Sequence, residues 1–177
     1  MKVKLLVLLM AMLVCLCSCD GASGSLGSEL TIPLDRIVEA LQDGNVGLYE
    51  SAFPSAFVSG YRKAYSDLSQ TIAALLRTAS HKNQSDYGES WTATYDVIAK
   101  ESLSVDELPL SYTLDRFNTY VYTLPAEEIL QAARVTVAVT YEGGLDEERF
   151  EVTCTLLRID GAWYLHPMHF GTVLKKN

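Results

Sequence analysis

The residues best suited to chemistry lie near the end of the chain, in His166-Pro167-Met168-His169. Two imidazoles at a strand end suit a general base near neutral pH or a pair of metal ligands. A zinc site takes three or four ligands, and no third is spaced to join these two, so they read as a structural or exposed pair and call for no metal. A second group is aromatic: Trp91, Tyr95, Tyr141 and Trp163, with His166 and Tyr164 beside them. Small-molecule pockets are lined largely by such rings with a few polar tips, so these residues are candidates for a ligand cavity. The same rings can equally fill a core between sheet and helix. Asp146-Glu147-Glu148 lacks the spaced oxygen ladder of a calcium loop and reads as a solvated hairpin tip. There is no glycine-rich phosphate loop, serine nucleophile elbow or Cys-x-x-Cys pair, and nothing calls for a cofactor.

The elements that must hold these residues change period partway along the chain. Pro33 starts a helix in which Leu34, Ile37, Val38 and Leu41 keep helical spacing, and Asp43-Gly44-Asn45 stops it. A short helical piece follows over Val46–Ala52. From Ser55 to about Ser80, Phe57, Tyr61, Tyr65, Leu68, Ile72 and Leu76 predict one long amphipathic helix, weakened locally by Gly60. Strand alternation then begins: Trp91, Ala93, Tyr95, Val97 and Ala99 alternate with Thr92, Thr94, Asp96, Ile98 and Lys100. Residues 104–131 read ambiguously, with Asp115–Tyr122 either a short helix or extended and Pro125–Ile129 one helical turn. The last third predicts three strands: Val135–Tyr141, Arg149–Ile159 and Ala162–Met168, the last two joined at Asp160-Gly161, a two-residue hairpin signal. Helices first and an antiparallel meander last make an α+β domain.

The other end of the chain concerns compartment. Met1-Lys2-Val3-Lys4 precedes an apolar run from Leu5 to Leu16, the length of a signal-peptide core and too short to span a bilayer. It runs into Leu16-Cys17-Ser18-Cys19, which resembles the bacterial lipobox: an aliphatic residue, two small ones, then the cysteine that receives diacylglycerol. The expectation is a signal peptide over 1–18, lipidation at Cys19, and a Gly/Ser-rich tether over 19–29 that holds a domain at 30–177 off the extracytoplasmic face of the membrane. Cys15 and Cys17 leave with the signal, so Cys154 is the only thiol of the mature domain. It shares a strand face with Phe150, Val152 and Leu156 and reads as buried and structural. Loss of Lys2 and Lys4 takes 14 basic residues to 12 against 22 acidic ones, and the net charge from −8 to −10. That balance excludes nucleic acid as a partner.

Leu157-Arg158-Ile159-Asp160-Gly161-Ala162-Trp163-Tyr164-Leu165 resembles the final hairpin of NTF2-like domains. Ala40-Leu41-Gln42-Asp43-Gly44-Asn45, followed by Leu48-Tyr49 and Phe53, is similar to their first helix pair. Ile129–Val137 is similar to the start of the long strand in NTF2-like lipoproteins of Gram-positive bacteria. The resemblance covers about residues 30–170. It implies a curved sheet wrapped round helices as a cone whose open end holds a ligand, an active site or packed side chains. It also implies a homodimer through the outer sheet face. NTF2-like isomerases and dehydratases place an Asp, His or Tyr inside the cone, and Asp96, Tyr95, Tyr120, Tyr122, Tyr141 and His166 are the matching candidates. The expected function is binding of a small ligand or protein partner. The alternative is an enzyme of that isomerase or dehydratase type.

Overall fold

The computed structural model describes residues 27–113 and 121–172. The expected signal peptide, Cys19 and most of the tether lie outside them, as do Tyr120 and most of Asp115–Tyr122. Four helices come first: α1 (Ile32–Asp43), α2 (Val46–Ser51), α3 (Ser55–Ala64) and α4 (Leu68–Tyr87). Six strands follow: β1 (Thr92–Leu103), β2 (Ser111–Thr113), β3 (Val121–Thr123), β4 (Ile129–Glu142), β5 (Glu147–Ile159) and β6 (Ala162–Leu165). The fold is α+β, with β1, β4, β5 and β6 forming one curved antiparallel sheet in that order and β2–β3 a separate hairpin. A 3₁₀ turn over Ser28–Thr31 leads into α1.

Local chemistry explains the helix ends. Pro33 sits in the first turn of α1, where its missing N–H costs nothing, and Gly44 stops the helix at φ 65°. The Asn45 side chain then caps α2 by accepting the Leu48 N–H at 3.2 Å. The single long helix expected from Ser55 is in fact two. Tyr65 is extended at φ −134° and ψ 98°, and the chain turns before restarting at Leu68. Nor does α4 end near Ser80. Beneath the polar wording of His81–Asp86, Asn83 and Tyr87 continue the buried stripe of Leu68, Ile72 and Leu76, while Lys82 pairs with Asp86 on the exposed side.

In the sheet, Phe150, Val152, Cys154 and Leu156 lie opposite Val139, Val137, Val135 and Ala133, and these inward rows pack on the helices as the main core. The outward rows are polar. Arg134 pairs with Glu101 at 2.7 Å, Arg149 with Asp96 at 3.0 Å, and Thr136 hydrogen-bonds Thr153 at 3.1 Å. A bulge between Val97 and Ala99 changes the alternation predicted for β1, setting Ala99 and Glu101 rather than Ile98 and Lys100 in the row of Asp96.

The ambiguous stretch 104–131 builds a second, smaller core: Leu108, Leu124 and Ile129 pack with Ala132, Leu157 and Ile159. The turn expected before Ile129 is present over Ala126–Glu128. The last hairpin turns on Asp160 (φ 50°) and Gly161 (φ 81°), the left-handed pair a two-residue turn requires. β6 stops at Leu165, short of the expected Met168, because Pro167 has no N–H for a ladder and opens a 3₁₀ turn over Pro167–His169. At the other hairpin tip, Leu145 N–H donates to the Tyr87 carbonyl at 3.0 Å. A Cβ on Gly143 would stand 2.9 Å from that carbonyl carbon, so the close approach of tip and helix requires glycine there.

Candidate functional site

Most of the aromatic candidates are packing. Tyr141 is buried, stacks on Tyr87 at 5.7 Å, and meets Trp91 edge-on at 6.0 Å. Burial pushes its phenol up to about 12. Trp91 and Trp163 are buried in the same core. Tyr122 contacts Phe57 edge-on at 5.3 Å and so joins β3 to α3. Asp96 lies on the exposed outer face, paired with Arg149. Cys154 is fully buried, and burial raises its thiol to about 12, which leaves it inert.

The two histidines are engaged with backbone. His166 is fully buried; its Nδ1 accepts the Met168 N–H at 3.0 Å, and the Pro109 carbonyl is a further hydrogen-bond partner of the ring. His169 Nε2 accepts the Thr155 N–H at 2.8 Å, while the His166 N–H donates to the Thr155 carbonyl at 2.9 Å. The His169 ring thus replaces the acceptor that a longer β6 would have offered. Desolvation lowers both rings to about 4, helped at His166 by the neighbouring His169. Both are neutral and structural at pH 7. Among the described residues no three His, Cys, Asp or Glu side chains converge on a metal position, and no helix is long and apolar enough to cross a membrane.

Of the pocket candidates, only Tyr95 faces open space. It lines a groove of about 500 Å³ between α1 and β1, with Asp35, Glu39 and Asp43 along one wall and Ala93 and Val97 beside Tyr95 on the other. The Tyr95 hydroxyl donates to the Asp35 carboxylate and lies 3.4 Å from the Thr31 carbonyl. Burial, and then that carboxylate, push its phenol upward. The groove is therefore lined on one side by carboxylates, which suit recognition of a cation. Residue types alone did not single out this wall, although its signal is present: Asp35, Glu39 and Asp43 recur every four residues on α1, off the stripe of Leu34, Ile37 and Leu41. Comparison with protein-family models, curated proteins and solved structures finds no match for this chain.

Proposed function

We propose that this chain is a membrane-anchored extracytoplasmic lipoprotein whose NTF2-like domain works by binding, and that its binding surface is the α1–β1 groove rather than the inside of a cone. The observation that carries the reading is the contrast between a filled interior and an open groove. Trp91, Tyr141, Trp163 and His166 are buried, whereas the groove of about 500 Å³ stays open. The anchor rests on the order basic start, apolar run, Leu16-Cys17-Ser18-Cys19 and Gly/Ser tether. An isomerase using His166 or His169 would need that ring free to move a proton. Both imidazoles instead hold backbone groups.

The anchor is tested by Cys19→Ala. The parent is expected to fractionate with membranes, and the variant to be released or to persist as unprocessed precursor. Normal processing with full membrane retention of the variant would rule out lipidation at Cys19. The binding half is tested by native mass spectrometry of protein extracted gently from its own membranes. A reproducible added mass is expected, and Glu39→Lys should remove it. A chain at its own lipidated mass in repeated preparations would count against a resident ligand in the groove.

A further inference from the structure

Reading the groove as the binding surface, we infer that it docks an extended segment of another protein chain in which Lys or Arg alternates with uncharged residues. The first ground is the strand that forms one wall. Among the described residues β1 has a neighbour, β4, on one side only, so its other edge presents ladder donors and acceptors that an added strand can satisfy. The opposite edge of the sheet is managed differently: β6 is four residues long, and its Leu165 N–H is taken by the Ala52 carbonyl at 2.8 Å. β1 is twelve residues long, and Thr92–Val97 is regular up to the bulge.

The second ground is charge. Asp35, Glu39 and Asp43 lie four residues apart on α1, ~6 Å per step along a helix. Alternate side chains of an antiparallel strand lie ~6.8 Å apart, so successive basic residues of an incoming strand meet successive carboxylates within the reach of flexible Lys and Arg stems. Among the described residues no Lys or Arg forms an ion pair with the row. Ion pairs among the described residues join Arg62–Glu50, Lys82–Asp86, Arg134–Glu101 and Arg149–Asp96, and Arg36 on α1 turns away to the Ser51 carbonyl at 2.6 Å. A second copy of this chain is the wrong occupant. Its net charge is −8, and it would bring the same acidic row against the first.

The test uses the full lipidated chain in neutral detergent and a seven-residue acetylated, amidated peptide alternating threonine with lysine. The peptide is expected to bind and to slow amide exchange across residues 92–97. Affinity should fall about tenfold or more for Glu39→Lys/Asp43→Lys, and by a similar factor when alternate peptide amides are N-methylated. Both substituted residues are exposed, and an unchanged circular dichroism spectrum will show that the variant folds. Spermidine and the N-methylated peptide binding as well as the parent peptide, without protection of 92–97, would overturn strand addition and leave only a charge effect. Absence of peptide binding by folded protein would overturn the inference too. Either failure is separable from the wider reading, because Cys19 processing and the native mass do not depend on this peptide.

Discussion

Replacing Phe170 with Ala should lower the free energy of unfolding by about 3–5 kcal/mol, a loss usual for a buried phenylalanine although this one is only partly covered. The reason is its position among other rings. Its centroid lies 5.5 Å from Tyr49, 5.1 Å from Phe53, 5.4 Å from Phe57 and 5.5 Å from Tyr61, each pair edge-to-face. Such pairs contribute roughly 0.5–1.5 kcal/mol each beyond the area they bury. Backbone next to the ring is pinned as well: Gly171 N–H donates to the Tyr49 hydroxyl at 2.9 Å, and burial keeps that phenol protonated up to about 12. Truncating Phe170 would empty the junction where α2 and α3 meet the chain leaving β6. Guanidinium unfolding is the check, with a lower midpoint and unchanged slope expected for Phe170→Ala and partial recovery for Phe170→Leu. A loss below about 1 kcal/mol would mean the helices hold together without the ring.

The limits of sequence reading in this chain are of two kinds. Periodicity identified α1, the four strands of the main sheet and the last hairpin, because Leu34–Ile37–Leu41 and Val135–Val137–Val139 each bury one face. It failed where burial is polar or local geometry intervenes. Asn83 and Tyr87 extend α4 through a stretch whose neighbours are all polar, and nothing in Tyr65-Ser66-Asp67 announces a break as Gly or Pro would. The bulge at Ile98 has no glycine to mark it and switches the face of every later β1 residue. The site was legible as residue types only. Trp91, Tyr141 and Trp163 carry the same pattern whether they line a pocket or fill a core, and only packing between elements distant in sequence decides. The groove was hidden for a simpler reason. A helix surface with acidic residues every four positions is ordinary, and becomes a wall only because β1, some fifty residues later, runs alongside it.

Acidification should strip stability through His166 and His169, and the direction follows from their protons. In the unfolded chain each imidazole takes a proton near its ordinary 6.5; in the folded chain desolvation delays that to about 4. Between those values the unfolded state binds more protons, so unfolding is favoured as pH falls. The contribution is fully present above pH 6.5 and is lost on the way down to about 4, on the order of 3 kcal/mol for a ring at about 1.4 kcal/mol per pH unit. Geometry gives the same answer. A protonated His169 has no lone pair for the Thr155 N–H, and a protonated His166 none for the Met168 N–H, so charging either ring breaks a bond that holds the turn before Phe170. The comparison to make is His169→Gln, whose side-chain oxygen falls near Nε2 and can still accept from Thr155 but does not titrate, alongside His166→Asn, which does the same near Nδ1. Unfolding free energies measured from pH 7.5 to 4.5 should show a steep acid limb for the parent, a shallower one for each variant, and the shallowest for the pair. If the parent and the double variant lose stability in parallel over that range, the histidines are not the groups that titrate with unfolding, and carboxylates elsewhere carry the acid sensitivity.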